Sequence, residues 1–426
     1  MSLRGRLRSA GGASPLRTGT IQIAVGLAFF GLATYVFTAL VLRALGPAAF
    51  ADFNIFWGLA YGVGLGAMMP FEQEMSRRTA TALHHGQPAG PILGAGLASS
   101  LAFSAVLGLA VVPFALHSVH GGTGAFWSVT AAAFVALGSA YVTRGSLSGA
   151  GQFRAYSGQL IAEGVARLAA VGLLIVLGAS SPWAFAAVVP VALVVAVTAT
   201  WRGDWSLMWP SRRLAGSMAW STAPLVVSSM LSLTLVNLGP VAVRYVEDVA
   251  QPTRDGSYLA AAFIARLPIF AFAAVQAVLI PRLTRAVVRR DSGDFRRSVI
   301  RVLSVTVALG AAAVAGVALI GPWLLGLLAG PQYDLPTADM VMLTAALSCY
   351  LVTLVMQPAA VALGRHRSTS LVWLFGAATF GVAWLLPTKP TTAVSAGIAV
   401  ASLTVSAGLA VVVARALGSQ LRQISE

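Results

Sequence analysis

The chain has 426 residues, of which 58% are hydrophobic and only 10% charged, against about 25% charged in an ordinary soluble protein. With a mean hydropathy of +0.82, this composition excludes a water-soluble enzyme, a disordered chain and a secreted disulfide scaffold, and leaves a polytopic helical membrane protein. The single cysteine, Cys349, makes neither an intramolecular disulfide nor a zinc site, and the net charge of +15 is explained below by topology rather than by nucleic-acid binding.

In chain order, apolar segments predict spans at 19–42, 49–70, 91–116, 124–143, 155–178, 182–200, 216–240, 258–281, 300–328, 337–361, 369–387 and 392–416. The first is too long, and lacks the small-residue cleavage site, for a signal peptide. Twelve spans divide the chain into a basic tail (1–18), a six-helix bundle (19–200), a linker (201–215), a second six-helix bundle (216–416) and a short tail (417–426). With the N-terminus inside, the inside segments carry 22 basic residues and the outside segments four (Arg43, Arg244, Arg254 and Lys389). That asymmetry places both termini in the cytoplasm. The seven arginines between Arg282 and Arg301 are read as an amphipathic helix on anionic lipid, a topology signal, or both.

Spans 1–6 and 7–12 look like two copies of one unit. Met69-Pro70 before Arg77-Arg78 corresponds to Ile280-Pro281 before Arg289-Arg290. The loops after spans four and ten both read Gly-x-x-Arg, at Gly151–Arg154 and Gly364–Arg367. Six is even, so both copies enter the membrane from the same side, a parallel repeat of the kind that accompanies alternating access around a central site.

Several segments carry a family resemblance. Ala44–Phe53 resembles the "lGxxxfGxy" entry of polysaccharide flippases, and Thr143–Arg154 resembles their "RGxLxGxgrf" loop. Tyr258–Pro268 followed by Ile280-Pro281 resembles the start of their second half, and Leu327–Asp334 their "lfGxxy" turn. Over most of its length the chain is similar to the Wzx-like branch of the multidrug/oligosaccharidyl-lipid/polysaccharide exporter superfamily. The resemblance implies a V-shaped, all-α pair of six-helix bundles in the bacterial cytoplasmic membrane. It implies flipping of a polyprenyl-(pyro)phosphate-linked oligosaccharide, with a polysaccharide polymerase or glycosyltransferases as partners. No cofactor is implied, and coupling to Na⁺ or H⁺ is left open.

Such a cargo has an anionic head, which suits arginine: its planar fork pairs with phosphate oxygens and stays charged. Arg266 is the first candidate. It lies roughly 12 Å into its span, with no acid at i±3 or i±4, and a charge within a span is a functional candidate by default. Glu163 and Arg167, four apart with Gln159 one turn earlier, either line the cavity, carry a proton, or form a neutralised pair that fixes packing. Ser221, Ser228 and Ser232 share a face of span seven, with Pro224 and Asn237 on the same span. Ser228, Ser232 and Asn237 are read as cavity lining, or else as polar glue between helices. Relatives often carry an acid where Asn237 stands, which argues against cation coupling there. Gly58, Gly62 and Gly66 predict close helix packing. Arg43 and Arg244 are weaker candidates for the outer exit.

A flippase is the leading reading. A cation-coupled antiporter of the same superfamily, expected to show an unpartnered intramembrane acid, is the alternative. A non-transporting scaffold is third, and an enzyme, which would need clustered acids, histidines or a metal site, is not expected.

Overall fold

The structure is a computed structural model that describes residues 15–118, 122–201, 212–243, 252–269, 291–385 and 388–425, with positions 272, 279, 283, 286, 287 and 289 between them. The helices are α1 (Pro15–Gly58), α2 (Leu65–His84), α3 (Gly90–Ser118), α4 (Thr123–Gly149), α5 (Phe153–Val176), α6 (Pro182–Thr200), α7 (Arg212–Asn237), α8 (Pro252–Ala265), α9 (Ser292–Ala329), α10 (Thr337–Ala362), α11 (His366–Val382) and α12 (Pro390–Ser425). Helices are the only open-chain answer to an apolar solvent, because every backbone polar group must be satisfied within its own segment.

The predicted spans coincide with helical segments where they are described; most of 270–281, the second half of the predicted span 258–281, lies outside the described residues. The first two share α1, which bends at Gly46 (φ 70°) before Pro47, where a left-handed residue and a missing N–H end the first span. The second span then continues through a π-helical turn, Leu59–Gly64, into α2. Among the described residues, eight helices are long and apolar enough to cross a membrane, nine if the bent α7 counts as one. The chain is a multi-pass membrane protein. Large apolar side chains fill the core, as Phe37, Phe50 and Trp373 do, and also face outward, as Leu109, Leu173, Leu319, Trp323 and Phe375 do, while Thr34, Ser100, Gln159, Glu163 and Arg167 are buried. An apolar exterior with polar groups inside follows from having lipid tails as the solvent.

Three expectations shift. Helix α4 continues to Gly149, six residues past the predicted end of span four. Helix α12 runs through the predicted tail to Ser425. Part of the basic stretch belongs to a spanning helix: Arg296, Arg297 and Arg301 lie in the first turns of α9, which Asp291 caps through the backbone N–H of Asp294 at 2.7 Å, and Arg289 lies in the turn before it. Arg282, Arg285 and Arg290 lie outside the described residues.

The two Gly-x-x-Arg loops fold alike. Gly151 and Gly364 adopt φ of 69° and 72°, and the following N–H reaches back five residues in each case, Gln152 to Leu147 O at 2.8 Å and Arg365 to Ala360 O at 3.1 Å. This is the same helix stop used twice, and it gives the internal repeat a structural counterpart.

Helix α1 packs on α5, α2 on α4, and α5 on α6; further along, α9 packs on α10, and α10 and α11 on α12. The two sets meet along α2 with α7 and α1 with α8. The α2/α7 seam is antiparallel and keeps one register throughout. Gly58 meets Leu238, Gly62 meets Thr234 and Gly66 meets Met230. Further on, Ser221 Oγ donates to Glu74 at 2.9 Å and Arg78 donates to Ser217 at 3.0 Å. The glycine stripe is therefore a packing surface, as expected, and its partner is α7. Glu74 does more than pair locally with Arg77 and Arg78 at 2.7 and 2.6 Å: it ties that end of the seam.

A Cβ at Gly66 would stand 2.7 Å from the Met230 Cα, so Gly66→Ala should force the seam apart and cost about 1–3 kcal/mol. Gly316, in α9, has open space around its Cβ position, so Gly316→Ala should be neutral or stabilise by about 0.5–1 kcal/mol. Thermal melts of the two purified variants against the parent check the contrast.

Candidate functional site

The polar interior of the first half is built around one carboxylate. Glu163, on α5, is 1% exposed and accepts from two guanidinium groups, Arg167 one turn on and Arg144 on α4. The sequence reading puts Arg144 in an inside loop; because α4 runs past it, Arg144 is instead buried in the helix and leaves the topological charge count. Arg167 is fully buried and also donates to Thr34 Oγ1 at 3.0 Å. Aromatic faces complete the lining. Phe30, Phe37 and Tyr61 lie 5.1, 5.7 and 5.8 Å from the Arg167 guanidinium carbon, and Tyr141 lies 5.0 Å from that of Arg144, within cation–π range. Gln159 is fully buried and donates to Thr143 Oγ1 at 3.0 Å, so it braces α5 against α4. Glu72, on α2, accepts from Tyr156 Oη at 2.8 Å.

In the second half, α8 ends at Ala265 and the chain turns at Arg266 before Pro268. Arg266 is 5% exposed. Its guanidinium donates to the main-chain carbonyl of Asn237 at 3.2 Å, and its Nε has no hydrogen-bond partner. Among the described residues no carboxylate pairs with it. Beside it, Tyr35 packs against Phe263 in a tilted pair with ring centroids 4.6 Å apart, which joins α1 to α8.

These two centres touch through two residues. Tyr61, in the π-helical turn, presents its ring to Arg167 and its carbonyl to Asn237 Nδ2 at 3.4 Å, and the carbonyl of Asn237 holds Arg266. The π turn is what re-aims Tyr61, and such turns recur at functional sites. The resulting string runs from Arg144 and Glu163 through Arg167, Tyr61 and Asn237 to Arg266, crossing the seam between the two sets of helices. It holds three arginines and, with Glu72 nearby, two carboxylates. It therefore holds more guanidinium groups than carboxylates, in a medium where charge is poorly screened.

Other predicted residues lie on the same seam with structural partners. Ser232 hydrogen-bonds Tyr350 Oη at 2.9 Å, and Ser228 donates to the carbonyl of Leu225 at 3.2 Å. Helix α7 bends by 51° between Arg213–Ala223 and Leu225–Asn237, as Pro224 requires. Arg43 is exposed and donates to the carbonyls of Leu327 and Leu328 at the end of α9, where a cation also meets the helix dipole. Tyr333 donates to the carbonyl of Leu42 at 2.8 Å, so the turn after α9 closes on the α1 bend. Arg244 lies outside the described residues. The sequence reading missed Arg144, Tyr61 and Tyr141. Gly145, Ser146, Ser148 and Gly149 follow Arg144 directly and read as a loop, so the local sequence gave no sign that the helix continues.

Comparisons with known proteins agree with this architecture. No family model matches the chain. It is 26% identical over 385 residues to "Uncharacterized protein Rv1510" of Mycobacterium tuberculosis, covering 88% of this chain and 86% of that one. It is 25% identical over 400 residues to "Uncharacterized protein Mb3654" of Mycobacterium bovis, covering 89% and 88%. Among solved structures it is similar to the inward-facing conformation of a multidrug resistance MATE family transporter of the MOP superfamily, with a TM-score of 0.72 at 14% identity over 95% of this chain and 99% of that one. The outward-facing conformation of such a transporter gives 0.64 at 14% identity, over 96% and 98%. The chain therefore has the all-α, V-shaped, two-lobed fold of these neighbours, which are transporters and not enzymes.

One carboxylate between two buried guanidinium groups makes an ordered stability prediction. Glu163→Leu removes the carboxylate shared by both guanidinium groups and should cost about 3–5 kcal/mol, whereas Arg167→Leu leaves the Arg144–Glu163 pair and should cost markedly less. Melting temperatures of the two variants in the same detergent check the order, and equal losses would remove the carboxylate from the centre of the cluster.

Proposed function

We propose that this chain is a membrane transporter that flips a polyprenyl-(pyro)phosphate-linked oligosaccharide from the inner to the outer leaflet of a bacterial cytoplasmic membrane, with both termini inside. The observation that carries the reading is Arg266: a buried guanidinium on the seam whose partner among the described residues is a main-chain carbonyl. One neutral hydrogen bond is a weak hold on a cation, and a phosphate oxygen competes well for it. Glu163 supports the same choice, because two arginines neutralise it and it is not free to bind Na⁺ or a proton. Arg167, Gln159, Ser228, Ser232 and Asn237 belong to the cavity that opens when the seam parts. The contacts of Arg43 and Tyr333 with the chain across the outer ends are ones an alternating-access cycle would break. No chemical bond is made, so no catalytic residue is assigned. A polymerase, glycosyltransferases and anionic lipids are the proposed partners.

The second reading, a cation-coupled antiporter of the same superfamily, draws on the solved structures described as multidrug resistance transporters and on the buried acid Asp339, which accepts from Thr391 at 3.2 Å.

Purified protein in proteoliposomes, given a fluorescent polyprenyl-pyrophosphate oligosaccharide, separates the two. Wild type should move inner-leaflet label to the quencher-accessible side without an imposed ion gradient. Losing a charged hydrogen bond of about 1.5–3 kcal/mol should slow Arg266→Ala roughly 10- to 100-fold, with Arg266→Lys in between. If no label crosses while a cationic dye leaves down a Na⁺ or H⁺ gradient, the antiporter reading replaces this one.

A further inference from the structure

A second feature of the seam remains unassigned. Where α7 gives way to the 3₁₀ turn Gly239–Ala242, the structure encloses an apolar cavity of about 230 Å³. Leu231, Leu235 and Leu238 form its α7 wall, and Trp373, Ala377 and Phe380 its α11 wall. Trp373 is fixed in place by its indole N–H, which donates to Gln357 Oε1 at 3.0 Å. Ala377 is exposed on a helix whose neighbours Leu374 and Phe375 point outward, so the cavity opens sideways toward the bilayer.

Its position is informative. Leu238, a wall of the cavity, directly follows Asn237, whose carbonyl holds the Arg266 guanidinium. A buried cation thus stands one residue of backbone away from a side-opening apolar slot. A neutral ligand could fill the slot but would leave the Arg266 guanidinium without an anion. A molecule with an anionic head and a slender apolar chain satisfies both: the head meets Arg266, and the first stretch of chain fills the slot while the rest remains in lipid.

We propose that the α7/α11 cavity is the tail subsite for the head-proximal isoprenoid segment of an anionic polyprenyl lipid whose (pyro)phosphate is held by Arg266. This rests on the flippase reading above. It adds that recognition of the cargo is shared between a cation and an apolar slot that meet at the Asn237–Leu238 segment. The slot is lined mainly by aliphatic side chains, so selection comes from the head group: the chain attached to an anion on Arg266 is the one delivered to it.

The test uses the full chain in nanodiscs with farnesyl pyrophosphate carrying a diazirine on its first isoprene unit, followed by peptide mapping. Label should concentrate in 231–242 and 373–380. Unlabelled farnesyl pyrophosphate should compete at least tenfold better than farnesol, and a phospholipid with a diazirine acyl chain should not show the same concentration. Ala377→Trp, which places a ring in the mouth of the slot, should lower labelling at least fivefold, with gel filtration and melting temperature confirming the fold. Competition in the wild type needs no variant, so the proposal stays testable if Ala377→Trp fails to fold. Label spread evenly over the outward-facing helices, equal competition by farnesol, or labelling unchanged in Ala377→Trp would overturn it. Labelling as expected without lipid flipping in proteoliposomes would instead overturn the flippase reading and leave the subsite standing; flipping that persists at the wild-type rate in Ala377→Trp, with no label in the cavity, would do the reverse.

Discussion

A guanidinium group stays charged under any condition a cell offers, and a membrane interior offers little to solvate it. The interior polar architecture of this chain follows from where it places three such groups. Arg144 and Arg167 are brought to a single carboxylate, Glu163, and surrounded by the faces of Phe30, Phe37, Tyr61 and Tyr141. Arg266 receives no carboxylate among the described residues and settles on a main-chain carbonyl. The first arrangement is self-contained. The second is incomplete, and an incomplete buried cation is costly unless the working cycle supplies an anion.

The seam explains how an incomplete site is compatible with a stable fold. Helix α2 and helix α7 lie against each other through Gly58, Gly62 and Gly66, where backbones approach closely, and that contact depends on van der Waals packing rather than charge. Polar contacts sit at the ends: Glu74 and Arg78 with α7 at one, Arg43 and Tyr333 with the opposing chain at the other. The glycine contacts make the seam tight along its length, and the Tyr61–Asn237–Arg266 string is the polar element that crosses it between those ends. Arg266 and the α7/α11 cavity flank the same segment, where α7 turns at Asn237 into its 3₁₀ extension.

Much of this was legible in the sequence, because lipid imposes simple rules. Apolar length gave the spans, and the Gly-x-x-Arg loops gave the repeat, whose two turns share one hydrogen-bond pattern. Glycine spacing on span two showed a close contact but not its partner, since nothing in a local pattern says that α7 lies opposite. The Glu163–Arg167 pair was visible from its i, i+4 spacing. Arg144 was not, because its partner is 19 residues away across a helix turn and an arginine at the end of an apolar run reads as the start of a loop. Tyr61 was hidden for a different reason: its orientation comes from a π turn, and hydrophobic periodicity carries no mark of one.

The most direct measurement of the central claim is an experimental structure of the protein bound to a polyprenyl-pyrophosphate oligosaccharide. The account predicts pyrophosphate density about 3 Å from the Arg266 guanidinium, with the Asn237 carbonyl released and the Arg144–Glu163–Arg167 cluster intact. Pyrophosphate bound elsewhere, with Arg266 still on the Asn237 carbonyl, would contradict it.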